Sequence, residues 1–207
     1  MIGSIVVKHN PVLAWETYHR ELHRSYEGGP GFSGYRHTIR AMGGFWQCQF
    51  KMHRSMADLV EFQASGHGRH VEVYGERGTI VWEGLIVEME MDLSKRAPLA
   101  ELAITCWGYF RTLYWMTYNQ TALTGSDYVS TIIAAVITAC GQFVGATSIA
   151  NNPTLVTKEY DADRFAGDIL FGLTKLGDSA FRRYVIGMYE GRRLIYEQAA
   201  PARLAGT

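Results

Sequence analysis

Two histidines three residues apart, in His67-Gly68-Arg69-His70, are the first residues of this chain with types and spacing suited to chemistry. Imidazole nitrogens bind divalent metals, but a zinc site draws three or four protein ligands, and few others lie near this pair. A glycine-flanked loop after a helix accounts for the segment without metal. His19 and His23 would share a face if their segment is helical, yet no HExxH pattern or carboxylate partner follows. Nucleophilic chemistry finds no GxSxG elbow, and Cys48, Cys106 and Cys140 stand far apart with no CxxC pairing. They read as small core residues of a protein kept in a reducing compartment. Gly28-Gly29-Pro30-Gly31 lacks the Lys-Ser/Thr of a phosphate-binding loop. Asp161, Asp163 and Asp168 fall where the first turn of a helix favours acid. Arg182-Arg183 and Arg192-Arg193 are balanced by Asp178, Glu190 and Glu197. No catalytic, cofactor-binding or metal-binding residue is assigned, and the reading is of a protein that is not an enzyme.

Composition narrows the classes further. The 207 residues carry 20 basic and 20 acidic side chains. They divide evenly, 11 of each sign before residue 101 and 9 of each after it, so neither half offers the basic field that nucleic acid requires. An apolar fraction of 47% and an aromatic fraction of 13% supply a packed core. The N-terminus MIGSIVVKHN lacks the long apolar region of a signal peptide. The uncharged run from Ile132 to Ala150 is interrupted by Gly141, Gln142 and Gly145, and is not expected to span a membrane.

The elements that would position these residues follow from periodicity. Gly3 to Lys8 is a short candidate strand, and Pro11 to Glu27 is open between helix and extended chain. Residues 35–41 and 46–52 alternate as half-buried strands. Ser55 and Asp58 form a capping box for a short helix with Met56, Leu59, Val60 and Gln63 on one side, ending at a left-handed Gly66. His70 to Leu93 reads as a hairpin turning at Gly75 to Gly78. In its second strand Ile80 and Trp82 share a face, whereas the later apolar set is Leu85, Val87, Met89, Met91 and Leu93. A bulge at Gly84 would reconcile the two and bend the strand, as in a small barrel. Ala100 to Cys106 alternates as a further strand, and Tyr109 to Tyr118 reads as a strand aromatic on both faces. After a boundary near residue 120, Thr124 to Cys140 is a helix with Val129, Ile132, Ile133, Val136, Ile137 and Cys140 as its apolar stripe. Thr154 to Tyr160 is expected as a strand. A helix capped at Asp161 or Asp163 carries Phe165, Ile169, Leu173 and Leu176, and a second hairpin joins Tyr184–Met188 to Leu194–Gln198. Strands, then helices, then strands argue for an α+β fold, mainly β, in two modules, 1–120 and 121–207.

This organisation resembles the hub proteins of bacteriophage tails. The residues that carry the likeness are Gly44-Phe45-Trp46-Gln47-Cys48-Gln49-Phe50, Gly68 to Val73, and Val81-Trp82-Glu83-Gly84-Leu85-Ile86-Val87-Glu88-Met89. In the second module they are Val129 to Ile133, Tyr160 to Asp178, and Ile186 to Tyr196. Together they span about residues 34–198, and their order and spacing carry more than any one of them. The resemblance implies two small β-barrel-like modules joined by helices. It also implies a homo-oligomer, a trimer, that forms a pseudo-sixfold ring at the end of the tail tube. Such a protein contacts tail-tube and tail-tip or fibre proteins, needs no cofactor, is made in the host cytoplasm and resides in the virion tail. Hubs of this kind are usually longer, so the second module is expected to be incomplete or completed by another chain. Tyr109, Leu113, Trp115 and Tyr118 are the expected ring-contact residues, with Phe32 in the Glu27 to Gly34 loop as a weaker addition. The alternative is a monomeric tail-tip module that binds a receptor or carbohydrate through exposed aromatics.

Overall fold

A computed structural model describes residues 2–8, 19–24, 29–92, 99–118, 127–156 and 164–199. The backbone divides into two compact units, Met1–Ile39 with Phe45–Tyr109, and Arg40–Gly44 with Phe110–Thr207.

The first unit contains β1 (Ile2–Lys8), β2 (His19–His23), β3 (Gly31–Arg40), most of β4 (Gly43–Arg54), α1 (Met56–Ser65), β5 (His70–Gly75), β6 (Ile80–Asp92) and β7 (Ala100–Trp107). The strands pair in the order β2-β1-β5-β6-β7-β4, with β3 also on β4. Every ladder with a resolved register in this unit is antiparallel. On β7, Ala100, Leu102, Ile104 and Cys106 are buried and the residues between them are half-buried, as strict alternation requires. Cys48 and Cys106 stand directly opposite each other across β4 and β7, both buried as free thiols. The expected cap of α1 is present, with Ser55 Oγ accepting from the Asp58 amide at 3.2 Å. Its buried side chains are Leu59 and Phe62, however, and Met56 and Val60 are exposed. Gly66 is right-handed (φ −82°), and glycine there serves close packing, since a Cβ would stand 2.7 Å from the Phe62 carbonyl.

The sheet does not close into a barrel. Among the described residues, β2 and β3 share no ladder, only the single bridge Arg24–Phe32. Beyond Tyr35, β3 is solvent-exposed on both sides, so it has no second layer to close against.

The second unit contains β8 (Asp127–Tyr128), α2 (Val129–Cys140), β9 (Ala146–Ile149), β10 (Leu155–Val156), α3 (Ala166–Thr174), β11 (Tyr184–Tyr189) and β12 (Arg193–Gln198). β11 and β12 form the expected hairpin, and all six predicted stripe residues of α2 are buried. Gly43 and Gly44 pair parallel with Gly187 and Met188, and β9 pairs parallel with β12. β9 is a solvent-exposed edge strand. β8 and β10 form a separate two-residue ladder. This sheet is mixed and open, so the expectation of two barrel modules fails here as well. Tyr109–Tyr114 is a 3₁₀ helix and not a strand. The chain leaves β7 at Gly108, where a Cβ would stand 1.7 Å from the Phe45 carbonyl and only glycine fits. On α3, Ile169, Leu170 and Leu173 are buried while Phe165 and Leu176 are exposed; Asp161 and Asp163 lie outside the described residues. No helix among the described residues is long and apolar enough to cross a membrane.

Candidate functional site

Two register shifts in β6 decide which side chains meet. Val73 and Tyr74 pair with Trp82 and Ile80, leaving Val81 as an extra residue. Ile86 and Glu88 pair with Cys106 and Thr105, leaving Val87 as another. The change of face expected at Gly84 is therefore made at Val87. Ile86, Met89 and Met91 stand opposite Cys106, Ile104 and Leu102 on one apolar face. The Val81 bulge separates Ile80 from Trp82, so Trp82 packs opposite Val73 and Ile80 opposite Tyr74. Gly84 itself is paired regularly with Val71.

The other face of β5 gathers the polar residues. His70 and Glu72 share it by the two-residue period, and Glu83 lies directly across from Glu72. Lys8 is opposite His70 on β1. His70, Glu72 and Glu83 are all buried. Lys8 Nζ donates to Glu72 Oε1 at 2.7 Å, and the Tyr74 hydroxyl donates to Glu72 Oε2 at 2.6 Å. His70 Nε2 lies 2.9 Å from Glu72 Oε1, and Nδ1 lies 2.5 Å from the Tyr109 hydroxyl, with the two rings stacked at 5.6 Å. Burial alone would push the Glu72 carboxyl up. The hydrogen bonds from His70, Lys8 and Tyr74, with the charge of His70, outweigh it and bring the carboxyl down to about 2. One potential ligand atom from each of His70, Glu72 and Glu83 lies within 4.8 Å of the others. Lys8 and Tyr74 also line a groove of about 640 Å³ that Ser4, Val6, Glu21 and His23 share.

A second network braces the other unit. Asn152 is fully buried; its Nδ2 donates to the Gly177 carbonyl at 3.0 Å and to the Tyr196 hydroxyl at 2.8 Å, while its Oδ1 accepts from the Thr154 amide. Tyr196 stacks on Tyr184 at 5.0 Å, and the Tyr184 hydroxyl donates to Asp178. Asp178 accepts from the Ala180 and Arg182 amides and the Arg182 guanidinium, which holds its carboxyl below the usual range against the burial that raises it. The loop so fixed presents Phe181, 95% exposed and at φ 57°.

The residues singled out from sequence are distributed differently. His67 is exposed and His70 is buried, the former in the glycine-flanked loop after α1 and the latter at the start of β5. His19 and His23 bound a strand and not a helical turn. Of the expected contact residues, Tyr109, Leu113, Tyr118 and Phe32 are covered within the chain itself, each under 5% exposed. Trp115 is 48% exposed and meets the edge of Phe143. The His70–Glu72–Glu83 group was missed, although His-x-Glu on a strand is a visible same-face signal. Adding Glu83 requires the hairpin register.

No protein-family model matches the chain, and no curated protein matches it by sequence. Solved structures do. The tail protein from Neisseria meningitidis MC58 superposes with a TM-score of 0.62 at 13% identity, over 97% of this chain and 52% of that one. The 43 kDa tail protein of prophage MuSo2 from Shewanella oneidensis gives 0.60 at 12% identity, over 96% and 55%. Prophage tail protein gp18 from Listeria monocytogenes EGD-e gives 0.59 at 15% identity, over 99% and 52%. The fold is one shared with phage tail proteins. The chain spans about half the length of these three.

Proposed function

We propose that this chain is a structural component of a bacteriophage tail, a hub or distal-tail adaptor that assembles with copies of itself into a ring at the end of the tail tube. The observation that carries the reading is the likeness to three tail proteins over at least 96% of the chain. A trimer is the oligomer the hub resemblance implies, with tail-tube proteins on one side and tail-tip or fibre proteins on the other. The protein is made in the host cytoplasm and carried in the virion tail. Trp115 is the contact residue proposed for the ring, since its indole is half exposed and held against Phe143. A lasting ring contact of this kind buries about 1,200–2,000 Å² in total.

Light scattering on the purified chain, followed by negative-stain imaging, tests this. A trimeric mass and particles with a central hole are expected. A mass that stays monomeric at all concentrations, with affinity for a glycan array, would replace the adaptor with a tail-tip recognition module.

A further inference from the structure

We propose that His70 Nε2 and the carboxylates of Glu72 and Glu83 form a binding site for one divalent cation of the zinc class. Three buried ligands come from two adjacent strands whose register the ladder fixes, so the donors converge without a flexible loop. Nitrogen and carboxylate oxygen bind zinc at about 2.0–2.2 Å, and the present spacing, within 4.8 Å, closes onto an ion by side-chain adjustment. Two of the ligands already carry the outer hydrogen bonds that orient metal-binding groups. The Tyr109 hydroxyl faces His70 Nδ1, and the Tyr74 hydroxyl holds Glu72 Oε2. On binding, the imidazole takes the tautomer protonated at Nδ1, which donates to the Tyr109 hydroxyl, and Nε2 is free for the ion. Electrostatics favour a cation there, because Glu72 and Glu83 face each other directly across two strands, a destabilising placement for like charges. Lys8 now meets that demand at Glu72. Its side chain is 35% exposed and lines the groove, so it can withdraw to water and leave an entry path.

The test is calorimetric titration of the chelator-stripped full chain with Zn²⁺, with Co²⁺ as the absorbing probe. One equivalent is expected, with a four-coordinate Co²⁺ spectrum. His70→Ala and Glu83→Gln should abolish it, Tyr109→Phe should weaken it by roughly tenfold or more, and Lys8→Met should tighten it. No binding by the wild type, or the same binding in Glu83→Gln, overturns the site. So does a stoichiometric ion lost only with His67→Ala. Should circular dichroism show His70→Ala unfolded, Glu83→Gln and the wild-type Co²⁺ spectrum decide. None of these readouts depends on the oligomeric state, so this inference stands or falls apart from the tail-ring reading.

Discussion

Gly84 lies so close to the Trp107 carbonyl that a Cβ on it would stand 2.1 Å from that oxygen, and 2.5 Å from the Trp82 ring. The glycine is there for approach and not for a bulge. Gly84→Ala must push the β6–β7 ladder apart or displace a fully buried tryptophan, and is expected to cost at least 1–3 kcal/mol, roughly the penalty of overpacking a core. The urea midpoint of the variant should fall accordingly, and an unchanged midpoint would show that Trp107 moves freely.

Glu72 gives the first unit an acid-sensitive point. Its folded carboxyl titrates at about 2, below its ordinary 4.5, so the stability it contributes is complete above about pH 4.5 and is lost as pH falls through about 2. In Glu72→Gln that part of the acid slope should vanish. Denaturation midpoints measured through this window, wild type against variant, check it; parallel curves would show that Glu72 is not the linked group.

Asn152 holds three groups at once in the second unit. Asn152→Leu would strip the Thr154 amide and the Tyr196 hydroxyl of partners, while the Gly177 carbonyl keeps the Thr154 hydroxyl. An orphaned group costs about 1–3 kcal/mol where it is buried, as Tyr196 is, and less at the half-buried Thr154. Thermal melting should report a large loss of stability, and Tyr196→Phe a smaller one, because it removes only one of Asn152's two amide acceptors.

Trp115→Asp is expected to abolish oligomers while the monomer stays folded, since the indole is half exposed and its removal opens little of the core. Light scattering with a matched circular dichroism spectrum is the check. Unaltered assembly would assign Trp115 to the monomer alone.

Where burial alternates within one strand, the sequence was readable. Ala100 to Cys106 and the α2 stripe needed no knowledge of partners, because the period itself names the buried side. The change of face in β6 was readable too, but not its position. Glu83-Gly84 held the obvious glycine, while the extra residue is Val87, recognisable only from the pairing of Ile86 and Glu88 with Cys106 and Thr105. Tyr109 to Tyr118 was read as a strand because aromatic side chains on both faces fit one. The turn at Gly108 and the three-residue period of a 3₁₀ helix instead direct Tyr109, Phe110 and Leu113 inward. β9 was invisible because Ala146–Ile149 buries almost nothing, and its pairing with β12 is parallel and remote in sequence. Barrel closure was beyond local reading altogether, since it depends on whether the terminal strands meet.

The unpaired valines on either side of Gly84 also act on folding. β6 lies between β5 and β7, and a bulge interrupts its alignment with each neighbour. A slip of one residue would turn Trp82 toward the carboxylates and Glu83 into the apolar layer, and would carry Gly84 away from the Trp107 carbonyl. The wrong alignments thus fail on charge, on volume and on backbone clearance together. The strand thereby rejects its own misregistered forms.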